Sequence, residues 1–161
     1  MADMLVKLYP LPTAPGLEDA LREKGIVIKK ALGPDMSRIV AFTEENGHPG
    51  WADEIRICFT NHPASCYIAV KSKEIVGFGC YETTARGFFG PTLVKDTERR
   101  QGIGKALLLK CLESLRELGY AYAFIGWPDK KAIPFYEKVT GGMMIPDDGY
   151  GVYSRMVHLQ E

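Results

Sequence analysis

The chain has 161 residues, enough for one domain with its own apolar core and too few for a second full one. Lys+Arg and Asp+Glu each number 20, so the formal net charge is zero; the long-range attraction on which nucleic-acid and acidic-membrane binding depends is missing, and neither partner is expected. No stretch approaches the roughly 18 apolar residues of a membrane span, and residues 1–9 carry no basic flank followed by an apolar run, so the expected protein is soluble and cytoplasmic.

Pro10, Pro12 and Pro15 punctuate the opening segment, after which Leu17, Ala20 and Leu21 share one face of a short helix stopped near Gly25. Residues 1–25 therefore read as an N-terminal extension to a core of residues 26–161 within one domain. Residues 26–32 form a strand pattern. Pro34 and Asp35 open a second helix carrying Ile39, Val40 and Phe42, and a third over residues 51–59 follows a Gly47 to Gly50 loop. From residue 66 the period changes to two: residues 66–70, 75–81 and 88–94 read as an antiparallel meander. Ile103, Ala106, Leu107, Cys111, Leu112, Leu115 and Leu118 then recur at helical spacing before Gly119, and residues 120–125 follow as a buried strand. A strand, a crossover helix and a strand make the 88–94 and 120–125 strands parallel neighbours. Pro91 cannot donate a ladder hydrogen bond, so it marks the place where these two strands part. A short helix around residues 135–139 ends at Gly141 and Gly142, and residues 143–145 are expected to pair with residues 150–157 across a Pro-Asp-Asp-Gly turn. Such a terminal hairpin offers an edge for a homodimer.

The four cysteines, Cys58, Cys66, Cys80 and Cys111, lie singly in apolar segments, without the close pairs or histidine spacing of a zinc site. They read as buried thiols, and no metal is expected.

The most informative stretch is Arg99, Arg100, Gln101, Gly102, Ile103, Gly104 and Lys105, lying between a strand and an amphipathic helix. A helix N-terminus offers unpaired backbone N–H groups and a partial positive charge, and glycines let a phosphate approach them closely. Two phosphate motifs fail on inspection. A P-loop needs Gly where Arg99 stands and Ser or Thr where Ala106 stands; a dinucleotide fingerprint needs a small residue at Leu107 and a carboxylate closing the next strand, and residues 120–127 contain none.

Arg99, Gly102 and Gly104 fit the Arg/Gln-x-x-Gly-x-Gly/Ala pyrophosphate loop of the GNAT acetyltransferase superfamily, which the chain resembles over about residues 66–145. It departs from many members at Asp96 and Arg100, where they carry Pro and Gly. Ala132, Ile133, Pro134, Phe135, Tyr136, Glu137 and Lys138 resemble a second motif of that family, in the same order along the chain. The resemblance implies an α/β (α+β) fold with a mixed, mostly antiparallel sheet of six to seven strands, a central splayed parallel pair and flanking helices. It implies acetyl-CoA as acyl donor, Leu93 and Val94 as backbone partners of the pantetheine arm, Val94 N–H as donor to the thioester carbonyl, and Tyr136 as the acid that protonates the leaving thiolate. Asp129 stands where many members carry a CoA-binding Asn. Pro134 must lie in a first helical turn, so that helix is expected to begin near Ile133 or Pro134.

For a base, Glu82 is the carboxylate on the strand preceding the parting, with Glu54 or a chain of waters as alternatives. His48, His62 and His158 read as surface imidazoles. The acceptor, a small-molecule or a peptide or protein amine, is expected to meet the 47–50 loop, the helix starting at Trp51 and the C-terminal segment, with Phe88, Phe89, Trp127 and Tyr153 as aromatic neighbours. The expected function is transfer of an acetyl group to a primary amine in a ternary complex. A non-catalytic acyl-CoA sensor or interaction module on the same fold is the alternative.

Overall fold

The computed structural model describes residues 2–157; His158 lies outside them. Seven strands, β1 (Met4–Lys7), β2 (Ile26–Lys30), β3 (Cys66–Lys71), β4 (Glu74–Tyr81), β5 (Phe88–Val94), β6 (Tyr122–Ile125) and β7 (Met143–Met144), form one sheet in the order β2-β3-β4-β5-β6-β1-β7. All neighbours are antiparallel except β5 and β6. Five α-helices, α1 (Leu17–Glu23), α2 (Met36–Asn46), α3 (Trp51–Cys58), α4 (Ile103–Glu117) and α5 (Ile133–Thr140), cover its faces. None of them is long and apolar enough to cross a membrane.

The alternation of β4 divides the core. Phe78 and Cys80 join Ile39, Phe42, Ile55, Cys58, Cys66 and Ile68 beneath α2 and α3. Gly77 and Gly79 face the other way, onto α4: a Cβ on Gly77 would lie 3.3 Å from Ile103 and Leu107 side-chain atoms, and one on Gly79 would lie 3.3 Å from Leu107 Cβ. These glycines let α4 lie close on the sheet. On this face Leu107, Leu108, Cys111, Leu112 and Leu115 are all inaccessible to solvent, as the helical period requires.

Two parts of the chain differ from the expectation. Met4–Lys7 is built into the sheet: β1 lies between β6 and β7, and Met4 and Val6 are wholly buried. The strand is only four residues long and is followed by prolines, so its period-two signal is short. Residues 150–157 are not a strand. Asp147 accepts hydrogen bonds from the N–H groups of Gly149 (3.0 Å) and Gly151 (3.2 Å) and closes a tight turn. Gly151–Arg155 then winds into a 3₁₀ turn, and the partner that β7 finds is β1. The terminal hairpin edge suggested for a homodimer is therefore not formed.

The cysteines are all buried, as expected, and three of the four come together in space. Cys66 and Cys80 are cross-strand partners, Cys58 comes down on them from α3, and the three sulfurs lie within 4.8 Å of one another. Spacing along the chain hid this, because antiparallel pairing joins residues of any separation.

Met4→Ala tests how far the N-terminal strand belongs to the core. Removing a fully buried Met from the strand next to the sheet edge should cost about 2–5 kcal/mol, read as a lower urea midpoint at unchanged m-value. A change below about 1 kcal/mol would show that β1 is dispensable.

Candidate active site

The site begins where β5 and β6 part. Their parallel pairing covers only Phe88 with Phe124 and Phe89 with Ile125. Beyond it comes Pro91, which has no N–H to donate, and β5 continues to Val94 paired with β4 alone. The Lys95 N–H donates to the Val76 carbonyl at 2.9 Å. This sets the phase of the ladder: Gly77 opposite Val94 is a non-hydrogen-bonded pair, so Val94 turns its own N–H and C=O away from β4, toward the gap that β6 has left. Leu93 is in the opposite phase. Its backbone faces β4, and its side chain lies among the α2 and α3 residues, 3.2 Å from where a Gly47 Cβ would be. Of the two residues expected to meet a pantetheine arm, only Val94 offers its backbone to the gap.

The glycine loop closes one end of this gap. Gly102, at φ 95°, is the N-cap of α4, and no side chain caps that terminus. Arg100 has φ 63° and takes a left-handed conformation that glycine adopts more readily. The loop thus keeps a left-handed turn although Arg stands in place of Gly. Arg99 is exposed; its Nε donates to the Val94 carbonyl at 3.3 Å and its guanidinium pairs with Asp96 at 2.9 Å. Gln101 donates to the Glu98 carbonyl and carboxylate, and Glu98 also pairs with Lys71 at 3.0 Å. Lys71 and Gln101 together hold the Glu98 carboxyl below its usual range. These bonds brace the loop so that the N-terminus of α4, with Ile103 buried and Gly104 and Lys105 half-buried, opens outward. A Cβ on Gly104 would lie 3.7 Å from Val94 and 3.9 Å from Phe135, which places the loop beside both the gap and α5.

Tyr136 stands on the α4 side of the parting. Helix α5 begins at Ile133 with Pro134 in its first turn, where the missing N–H is not needed. Tyr136 is 8 % exposed and its ring packs edge-on to Phe89, the last β5 residue paired with β6, at 6.2 Å between centroids. Burial, helped by the negative charge of Asp129, pushes its phenol up to about 12. It is therefore a protonated donor throughout the neutral range. Asp129 itself is exposed and accepts the Lys131 N–H at 2.8 Å, ordering the turn that leads into α5.

Glu82 and Glu54 occupy different surroundings. Glu82 lies one residue beyond β4, at φ 61°, and its carboxylate is engaged by the Gly87 N–H and by the Tyr120 hydroxyl at 3.1 Å. It secures the 82–87 turn. Glu54, on the first turn of α3, is half-buried; it accepts from the Thr84 hydroxyl and from Tyr153 at 3.1 Å. Burial raises its carboxyl above the usual range against the opposing effect of those two hydroxyls. Desolvation likewise lifts Tyr153 to about 12. Thr83, next to Thr84, donates to the Gly90 carbonyl at 2.7 Å, and Tyr153 lies over Gly126, where a Cβ would be 3.1 Å from its ring. Gly90 and Gly126 are the residues that follow the last paired positions of β5 and β6, so this cluster borders the gap from the α3 side. His48 accepts the Gly50 N–H at 3.2 Å within the neighbouring loop. Thr84 and Tyr153 carry no local sequence signal for this role, because both act on a residue at least 30 positions away.

A hollow of about 550 Å³ between α2 and the β3–β4 hairpin and another of about 250 Å³ between residues 11–18 and α4 lie away from the parting.

The family model described as acetyltransferase (GNAT) family matches residues 33–141. No curated protein matches the chain by sequence. Among solved structures, the GCN5-related glucosamine N-acetyltransferase region of a fungal multi-domain GH3 β-N-acetylglucosaminidase is similar at TM-score 0.71 and 12% identity, over 89% of this chain and 19% of that one. A GCN5-related N-acetyltransferase from Sphaerobacter thermophilus gives 0.66 and 21%, over 89% and 48%. A GNAT family acetyltransferase from Brucella melitensis, solved in complex with acetyl-CoA, gives 0.51 and 20%, over 78% and 92%. The chain spans a fifth to a half of the length of the first two. At these identities the likeness is one of fold.

The phenol of Tyr136 ionises near 10 in the unfolded chain and near 12 in the folded one. The unfolded state therefore loses its proton first, and stability falls as pH rises through that window. Tyr136→Phe should flatten the stability-against-pH slope between pH 10 and 12 by up to about 1.4 kcal/mol per unit, measured by urea unfolding. An unchanged slope would place Tyr136 in contact with water.

Proposed function

Because the chain belongs to the GNAT acetyltransferase family, we propose that it transfers an acetyl group from acetyl-CoA to a primary amine in a ternary complex. The single observation that carries this reading is the direction of the Val94 backbone. Its N–H faces the gap between β5 and β6, with the uncapped N-terminus of α4 at one end and Tyr136 beside the parting.

In this reading the diphosphate of CoA rests on the N–H groups of Gly102, Ile103, Gly104 and Lys105, where the helix dipole and the Arg99, Arg100 and Lys105 charges oppose its own. Arg99, Arg100 and Gln101 shape the loop, and Asp129 orders the approach to α5. The pantetheine arm runs along Val94, extending the β5 edge that β6 has vacated, while Leu93 presents its side chain to the acceptor side. The Val94 N–H donates to the thioester carbonyl oxygen and strengthens its hold as charge builds there during attack. Tyr136 supplies a proton to the sulfur as the C–S bond breaks. The acceptor enters from the opposite face, past the 47–50 loop and Trp51.

Acetyl-CoA at about 100 times its dissociation constant should stabilise the fold by about 2.7 kcal/mol, a rise in Tm of roughly 5–10 °C. Gly102→Ala should cost about 1–2 kcal/mol through its left-handed backbone and weaken that thermal shift as well. Free-thiol release in a screen of amines and lysine peptides reports turnover. Binding without release from any amine would leave an acyl-CoA-binding module in place of an enzyme, and no shift with acetyl-CoA would remove the reading altogether.

A further inference from the structure

The C-terminal turn is held by a residue from the other end of the chain. Asp3 Oδ1 accepts the Trp127 N–H at 3.1 Å and Asp3 Oδ2 accepts the Val152 N–H at 2.8 Å. The carboxylate fills the space over Gly151, where a Cβ would lie 2.1 Å from Asp3 Oδ1, and Gly151 has φ 57°. Only glycine fits this position. One residue beyond Val152, Tyr153 crosses the mouth of the gap over Gly126 to reach Glu54.

We propose that Gly151–Arg155 is a positioning arm, clasped by Asp3, that sets the Tyr153 hydroxyl on Glu54 and makes Glu54 the group that takes the proton from the incoming amine. This rests on the acetyl-transfer reading. Glu82 does not serve, because its two partners, the Gly87 N–H and Tyr120, belong to the 82–87 turn and to the connection from α4 to β6. Glu54 is held by hydroxyls on two separate segments that border the gap, and each hydroxyl oxygen keeps lone pairs that can accept from an arriving ammonium. The ionisable groups around it are Cys58, one turn further along α3, Tyr153 on the arm, and Asp3 behind Tyr153. None of these three groups is a cation, which suits the carboxylate to a cationic acceptor.

The protons balance. The ammonium gives one proton to Glu54 and becomes a neutral amine, whose lone pair forms the C–N bond. As the C–S bond then breaks, the sulfur takes the Tyr136 proton while the second proton lost by nitrogen replaces it on Tyr136. Glu54 returns its proton to water.

The test uses full-length protein with n-butylamine, spermidine and a blocked lysine amide as acceptors. Glu54→Gln should lower kcat/KM at least 100-fold and leave the acetyl-CoA thermal shift intact. Tyr153→Phe removes a donor that favours the carboxylate, so the acid limb of the pH profile should move to higher pH; Asp3→Asn, which retains one acceptor oxygen, should move it the same way. Carbon-13 NMR of the Glu54 carboxyl reads the same displacement without turnover. Glu54→Gln within threefold of the parent, or an unmoved Glu54 titration in both arm variants, would overturn the proposal. Parent protein that neither binds acetyl-CoA nor releases thiol would instead overturn the acetyl-transfer reading beneath it.

Discussion

The parting of β5 from β6 after Phe89 and Ile125 is the constraint from which the rest of the site follows. A parallel pair that stayed zipped would engage the outward N–H and C=O of Val94 within the sheet, leaving nothing for a ligand. Pro91 makes zipping unprofitable at one position, since it brings no donor to the ladder. The cost of the parting is limited because β5 keeps its other edge: Phe78 with Leu93, and Gly77 with Val94, continue the β4 pairing to the end of the strand. One side of β5 is thus fixed by the fold while the other is free to bind.

The gap joins two faces of unlike chemistry. On the α4 side lie a braced, basic glycine loop and a buried phenol; on the α3 side lie a half-buried carboxylate and its hydroxyl partners. Zero net charge is compatible with this division, because on the loop the Arg99 charge is balanced by Asp96. Beside the Arg100 and Lys105 charges, the loop offers an anion directed backbone, which is less dependent on salt than side-chain charge.

Most of the architecture was legible in the sequence because it rests on periodicity. The crossover from β5 through α4 to β6, the meander before it and the onset of α5 at a proline all appear within a residue or two of their expected bounds. What escaped was whatever depends on distant pairing. Strand β1 has only four residues and gains its stability from β6 and β7, neither of which is near it in the chain. The last segment has a turn and apolar residues, as a hairpin would, but Asp147 and Asp3 claim its N–H groups first. The three-cysteine cluster arises from strand register in the same way. At the site, the motif residues Gly102, Gly104 and Tyr136 could be named from local pattern. The difference between Leu93 and Val94 is a matter of ladder phase, and that between Glu82 and Glu54 is decided by Tyr120 and Tyr153, whose positions no local pattern reveals.

The high pKa of Tyr136 limits how it can act in the proposed reaction. A thiol ionises near 8.5 and this phenol near 12, so handing a proton from phenol to a free thiolate is uphill by roughly 3–4 units, about 5 kcal/mol. A buried tyrosinate beside Asp129 would be poorer still as a resting product. Proton transfer to sulfur therefore has to be coupled to the loss of a far more acidic proton from the newly acylated nitrogen, so that Tyr136 is never left ionised. In the proposed reaction burial would thus make Tyr136 a relay in place of a reservoir: it would keep the proton on the phenol until C–N bond formation had supplied its replacement, and so disfavour release of thiolate to water before an amine had arrived.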